Sequence, residues 1–123
     1  MMRTLILTAL AISLATSAAN AQPSGKDMLD PCRNQNLPNP PGKVTPPHEL
    51  VLQGRCVGMI EALAQVGREL PPPRRSCVPE GPAGAGLQGV VVSYLVRHRD
   101  QLNERFTDLV LAALAEKWPC PRQ

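Results

Sequence analysis

The chain has 123 residues, 13 basic against 10 acidic, a formal net charge of +3, 14 prolines, and a single Trp, Tyr and Phe. That near-balance of charge, with no basic stripe interleaved with aromatics, excludes a nucleic-acid-binding surface. The length leaves room for one small folded unit, and the one doubled basic site, Arg74-Arg75, reads as a solvated loop.

The first stretch is "MMRTLILTALAISLATSAANAQ". Arg3 gives a positive start, Leu5 to Ala15 a short apolar run, and Ala19-Asn20-Ala21 a small-x-small cleavage site. The pattern predicts a secretory signal peptide over 1–21. The apolar run is too short for a spanning helix, and no longer one follows, so no membrane insertion is expected. Arg3 is the one charged residue of 1–21, so 12 of the 13 basic residues remain in the exported chain against all 10 acidic ones.

Residues 22–47, including "PCRNQNLPNPPGKVTPP", are rich in Pro, Asn and Gly. Proline fixes φ and removes a donor, which predicts an irregular, extended arm, with at most one turn at Asp27 to Asp30. Residues 48–123 are then the folded domain. In "HELVLQGRCVGMIEALAQVG", Leu52, Cys56, Met59, Ile60, Leu63 and Val66 recur at three- and four-residue steps and make one helical stripe. Thr45 with Pro46 after it is a fair N-cap and first-turn proline. Gly67 and Pro71-Pro72-Pro73 end the helix.

"GLQGVVVSYLVRHRD" places Leu87, Val90, Val91, Tyr94 and Leu95 on one face. The run Val90-Val91-Val92 pulls toward strand, but a lone strand has no ladder partner, so a helix is expected. "LNERFTDLVLAALAEKW" carries a stripe of Leu102, Phe106, Leu109, Val110, Ala113 and Leu114 extending to Trp118, with Pro119 as its stop. Leu111 lies off that stripe, either as a surface residue or as a contact with another chain. The sequence therefore predicts an all-α domain of three to four helices, preceded by a Pro-rich arm.

All four cysteines, Cys32, Cys56, Cys77 and Cys120, lie beyond the cleavage site. An even set in a small exported chain reads as two disulfides. Structural zinc uses closely spaced ligand pairs, and neither the cysteines nor the separated His48 and His98 supply them, so no metal is expected. Catalysis needs a nucleophile with a base, or paired carboxylates in a cleft. Glu61, Glu69, Glu104 and Asp108 read as solvated charges, and "GPAGAG" lacks the lysine of a phosphate loop. The expectation is a non-catalytic binding or structural protein with no cofactor.

The runs "CVGMIEAL", "CVPEG", "VVVSYLVRHRDQL" and "LVLAALAEKWPCP" resemble the Rap/Tai family, small periplasmic immunity proteins against the amidase effectors of type VI secretion. Cys56, Gly58 and Ile60 match in the first run, Cys77, Pro79, Glu80 and Gly81 in the second. Tyr94, Leu95, His98 and Leu102 match in the third, and Leu109, Val110, Ala113, Leu114, Pro119, Cys120 and Pro121 in the last. Met59 departs from a common Tyr, Pro82 to Gly86 from a V-T-x-x-Q segment, and Arg99 from a Pro after His. The resemblance implies an all-helical, often dimeric protein that binds a secreted peptidoglycan amidase and blocks its cleft. The alternative is a stand-alone periplasmic structural or stress-related protein with no effector.

Two loops are candidate contacts by polarity and position. The first is "HRDQLNER", with His98, Arg99, Asp100, Gln101 and Asn103. The second is "PPPRRS", with Arg74 and Arg75. In an up-down-up bundle the end of the third helix returns near the start of the second, which pairs Cys77 with Cys120 and leaves Cys32 for Cys56. The competing arrangement pairs Cys56 with Cys77 and Cys32 with Cys120. Thiol titration in denaturant should find no free thiol before reduction and four after it; free thiols without reductant would exclude the disulfide framework.

Overall fold

A computed structural model of the chain describes residues 22–35, 37–81 and 86–122. The expected signal peptide over 1–21 and most of the glycine-rich "GPAGAG" stretch lie outside the described residues. Four α-helices occur among them: α1 Gly25–Asn34, α2 Pro47–Val66, α3 Leu87–Arg97 and α4 Phe106–Lys117. Short 3-10 turns at Gly67–Glu69 and Arg99–Gln101 follow α2 and α3. Every helix packs against the other three.

The largest departure from expectation is α1, which forms inside the segment read as an irregular arm. Gly25, Met28, Leu29 and Cys32 are its buried residues, and steps of three and four put them on one face. Ser24 caps it reciprocally: its hydroxyl accepts from the Asp27 amide at 3.1 Å, and its own amide donates to the Asp27 carboxylate at 2.9 Å. Pro31 sits inside the helix and removes one intrahelical donor. Burial of the face around it offsets that cost. The arm reading holds only for the exposed stretch 37–44.

α2 starts one residue later than expected. Pro46 is its N-cap without a side-chain bond, and Pro47 is the first-turn proline. The Thr45 hydroxyl pairs with the Asn39 side chain instead, the amide donating at 2.9 Å. Cys56, Ile60 and Ala64 are the buried residues of α2. Val66, expected on the stripe, is exposed because the chain tightens into the 3-10 turn there.

α3 is a helix through the β-branched run, burying Val91, Tyr94 and Leu95. Gly86 begins it at φ +83, a conformation glycine adopts without a Cβ penalty. α4 starts at Phe106, so Leu102 lies in the preceding turn rather than in the helix. Phe106, Leu109, Val110, Ala113 and Leu114 join residues of the other three helices in one core.

Leu111, left open between surface and a second chain, is buried within the chain, 5% exposed. Asp108, Leu111, Ala115 and Trp118 share a flank of the helix by their spacing. The segment Arg74 to Cys77 is tied at both ends of that flank: Arg74 reaches Asp108 at 3.0 Å, and the Cys77 amide donates to the Trp118 carbonyl at 2.8 Å.

The disulfides are Cys32–Cys56 and Cys77–Cys120, and no cysteine is free. The first joins α1 to α2 in the core, with both cysteines at 0% exposure. The second fastens the chain after α4 to the loop that covers it. The expected pairing is the one observed. Closing loops of 24 and 43 residues contributes about 3–4 kcal/mol each in the chain-entropy model. A core of this size supplies only about 3–5 kcal/mol by itself.

Gly67, at φ −57, has backbone angles that any residue adopts, yet its buried position is filled by Ser76, whose hydroxyl a Cβ would meet inside contact distance. That hydroxyl has no hydrogen-bond partner among the described residues. Gly67→Ala should lower stability by about 1–3 kcal/mol, and Ser76→Ala alone should be near neutral. The double variant should recover most of the loss in urea unfolding; additive costs would contradict the contact.

Candidate functional site

The connection from α3 to α4 is built on α1. The amides of Gly25 and Lys26, unpaired within the helix they begin, donate to the carbonyls of Glu104 and Leu102 at 3.0 and 2.8 Å. The Phe106 amide donates to Pro23 at 2.8 Å, and Ser24 and Arg105 form an isolated antiparallel bridge. One helix N-terminus thus holds the inner edge of the loop and leaves its outer edge to present side chains. Gly25 allows the approach: a Cβ there would lie 2.5 Å from Leu109 Cδ1 and 3.2 Å from the Leu102 carbonyl oxygen.

The sequence-derived contacts divide. Arg99, Asp100 and Asn103 are exposed, and Gln101 is half-buried. His98, a candidate contact by sequence, is half-buried and stacks on Tyr94 with ring centroids 4.0 Å apart. Its Nε2 is buried without a partner among the described residues. Tyr94 also lies under the Arg97 guanidinium, 5.8 Å from ring centroid to Cζ, and Arg97 bridges to Glu116 at 2.8 Å. Burial pushes the Tyr94 phenol above its ordinary range, with Glu116 and Glu104 adding to the effect.

Arg74 and Arg75 lie on the other loop. Asp108 links that loop to the first, accepting from Arg74 at 3.0 Å on one carboxylate oxygen and from Arg105 at 2.8 Å on the other. As the third residue of α4, it also complements the helix dipole. Arg75 is half-buried, with Nε buried and unpartnered among the described residues. The two candidate loops therefore meet at the start of α4, with Arg74 held by Asp108 and Arg99 with Asn103 on the far side of the first loop.

Sequence reasoning missed the residues that α1 adds. A cleft between α1 and the loop is walled by Lys26 and Arg33 on one side and Arg99 and Asn103 on the other. The signal that could have found them is the capping-box spacing of Ser24 and Asp27 ahead of Met28-Leu29, which the surrounding prolines obscured. Among the described residues no group of three or more His, Cys, Asp or Glu could hold a metal. No described helix is long and apolar enough to cross a membrane.

The geometry defines a disulfide-stapled helical domain that presents a rigid polar loop. The chain belongs to the family of the Rap1a immunity proteins, whose model matches residues 24–120. That span takes in α1, so the match begins at the helix whose cap carries the loop. No curated protein and no solved structure matches the chain.

Hydrogen bonds from the Ser24 amide and hydroxyl hold the Asp27 carboxyl below the usual carboxylate range. A folded-state pKa below the unfolded one gives a contribution present above the unfolded value, about 3.9, and lost as pH falls through the lowered folded value. Asp27→Asn should therefore melt below wild type at pH 7, with the gap closing as pH falls below about 4. A gap independent of pH would show that the carboxylate charge is irrelevant to the cap.

Proposed function

We propose that this chain is a periplasmic immunity protein that binds a secreted effector of type VI secretion, a peptidoglycan amidase, and occludes its cleft with the loop His98 to Arg105. The observation that carries the reading is the family match over 24–120, which coincides with the whole described helical core. The loop supports it: its inner edge is hydrogen-bonded to α1 while Arg99, Asp100 and Asn103 face outward. A loop already held in one conformation loses little entropy on binding.

Steric occupation requires no chemistry from the inhibitor, so the reading is of a non-catalytic protein without a cofactor. Export through the segment 1–21 would place it where such an effector acts and where both disulfides form. Two copies of the chain binding together are compatible with this role, each presenting its own loop.

The purified exported chain should bind and stoichiometrically inhibit an amidase encoded beside it, in an assay of peptidoglycan hydrolysis. Failure to bind any amidase of the same genome would favour the stand-alone structural protein instead.

A further inference from the structure

Three cations meet in the cleft between α1 and the loop: Lys26, Arg33 and Arg99. Lys26 and Arg33 are seven residues apart on one face of α1, about 10 Å along its axis. Arg99 stands on the opposite wall beside Asn103, and Leu29, 8% exposed, and half-buried Leu102 give an apolar floor. The one carboxylate there, Asp30, bonds Arg33 at 2.7 Å. It steadies the guanidinium and leaves most of its five donors free.

Little of the remaining charge is used within the fold, Lys26 adding only a minor pull on the Asp27 carboxylate. Arg74, Arg97 and Arg105 are each matched to Asp108 or Glu116, whereas Lys26 and Arg99 have no ion-pair partner among the described residues. The backbone behind them is fixed by the Lys26 amide bond to the Leu102 carbonyl, 2.8 Å, so both walls are held in register.

We infer that this cleft is the docking surface for an acidic segment of a partner protein, with Lys26, Arg33 and Arg99 as its cationic contacts. Charge complementarity selects the occupant. The partner presents carboxylates roughly 10 Å apart around an apolar side chain that rests on Leu29 and Leu102. A flat anionic bilayer cannot reach both walls of a concave cleft at once, and a polynucleotide would want aromatic platforms that are absent here. The inference rests on the binding-protein reading only for the identity of the partner.

The test uses the full exported chain, labelled with 15N, and the peptide acetyl-ELEELE-amide beside its glutamine counterpart, acetyl-QLQQLQ-amide. Amide shifts should be confined to residues 26–33 and 99–103 with the acidic peptide and absent with the glutamine one. Lys26→Ala with Arg99→Ala should weaken binding by about fivefold without moving the melting temperature. Shifts spread over the surface, affinity unchanged in the double variant, or tighter binding to phosphatidylglycerol vesicles would overturn the inference. So would sedimentation showing that the double variant abolishes self-association, since the occupant would then be a second copy. An effector that is bound and inhibited equally by wild type and double variant would sink the cleft, and Arg99 as a loop contact, while inhibition itself would keep the immunity reading. A peptide that binds as described where no amidase does would have the reverse effect.

Discussion

A ten-residue helix with an internal proline is too short to persist in water by its own hydrogen bonds, and the architecture depends on α1 being seated. Three constraints hold it. The capping box closes its first turn, the Cys32–Cys56 bond fixes its second half to α2, and Met28, Leu29 and Cys32 fill the core between the other helices. The Gln88 side-chain amide donates to the Cys32 carbonyl and brings α3 onto the same turn. Without α1 the inner faces of α2, α3 and α4 would be open to water and the loop before α4 would lose its backbone partners.

The second disulfide solves a different problem. The chain from Pro71 to Val78 has no helix of its own, yet it must cover the flank of α4 that carries Leu111. It does so with few contacts: the Ser76 amide to the Gly67 carbonyl at 3.1 Å, the Cys77 amide to Trp118, and Arg74 to Asp108. Cys77–Cys120 converts that weak set into a fixed strap. The ion pairs of this strap and of the neighbouring loop are exposed to solvent by half or more on the arginine side. They are weak as stabilisers and act chiefly to position the loops.

Function follows from this rigidity. The cap that starts α1 satisfies its own first turn and, through Gly25 and Lys26, organises the loop before α4. The helix that the prolines make look like linker is therefore the one that shapes the candidate site. His98 shows the same economy. It closes α3, its amide donating to the Tyr94 carbonyl, and its ring stacks on Tyr94.

Much was legible in the sequence because it depends on local period or chemistry. The stripes of α2, α3 and α4, the stops at Gly67 and Pro119, the even cysteine set and the ordered motifs that point to the family are all properties of near neighbours. The disulfide pairing followed from the bundle order, once helices were assumed to alternate in direction. The remainder was decided only by tertiary contact. Whether Met28-Leu29 and Cys32 make a helix through Pro31 depends on a core supplied by residues up to 86 positions away, which propensity cannot weigh. Leu111 is buried because a non-periodic strap crosses it, and Val66 is exposed because the chain turns there. The cleft of Lys26, Arg33 and Arg99 exists because α1 packs beside a loop more than sixty residues further on. A sequence records which groups are charged and which are apolar; only folding decides which of them face one another, because that is set by the packing of all the helices together.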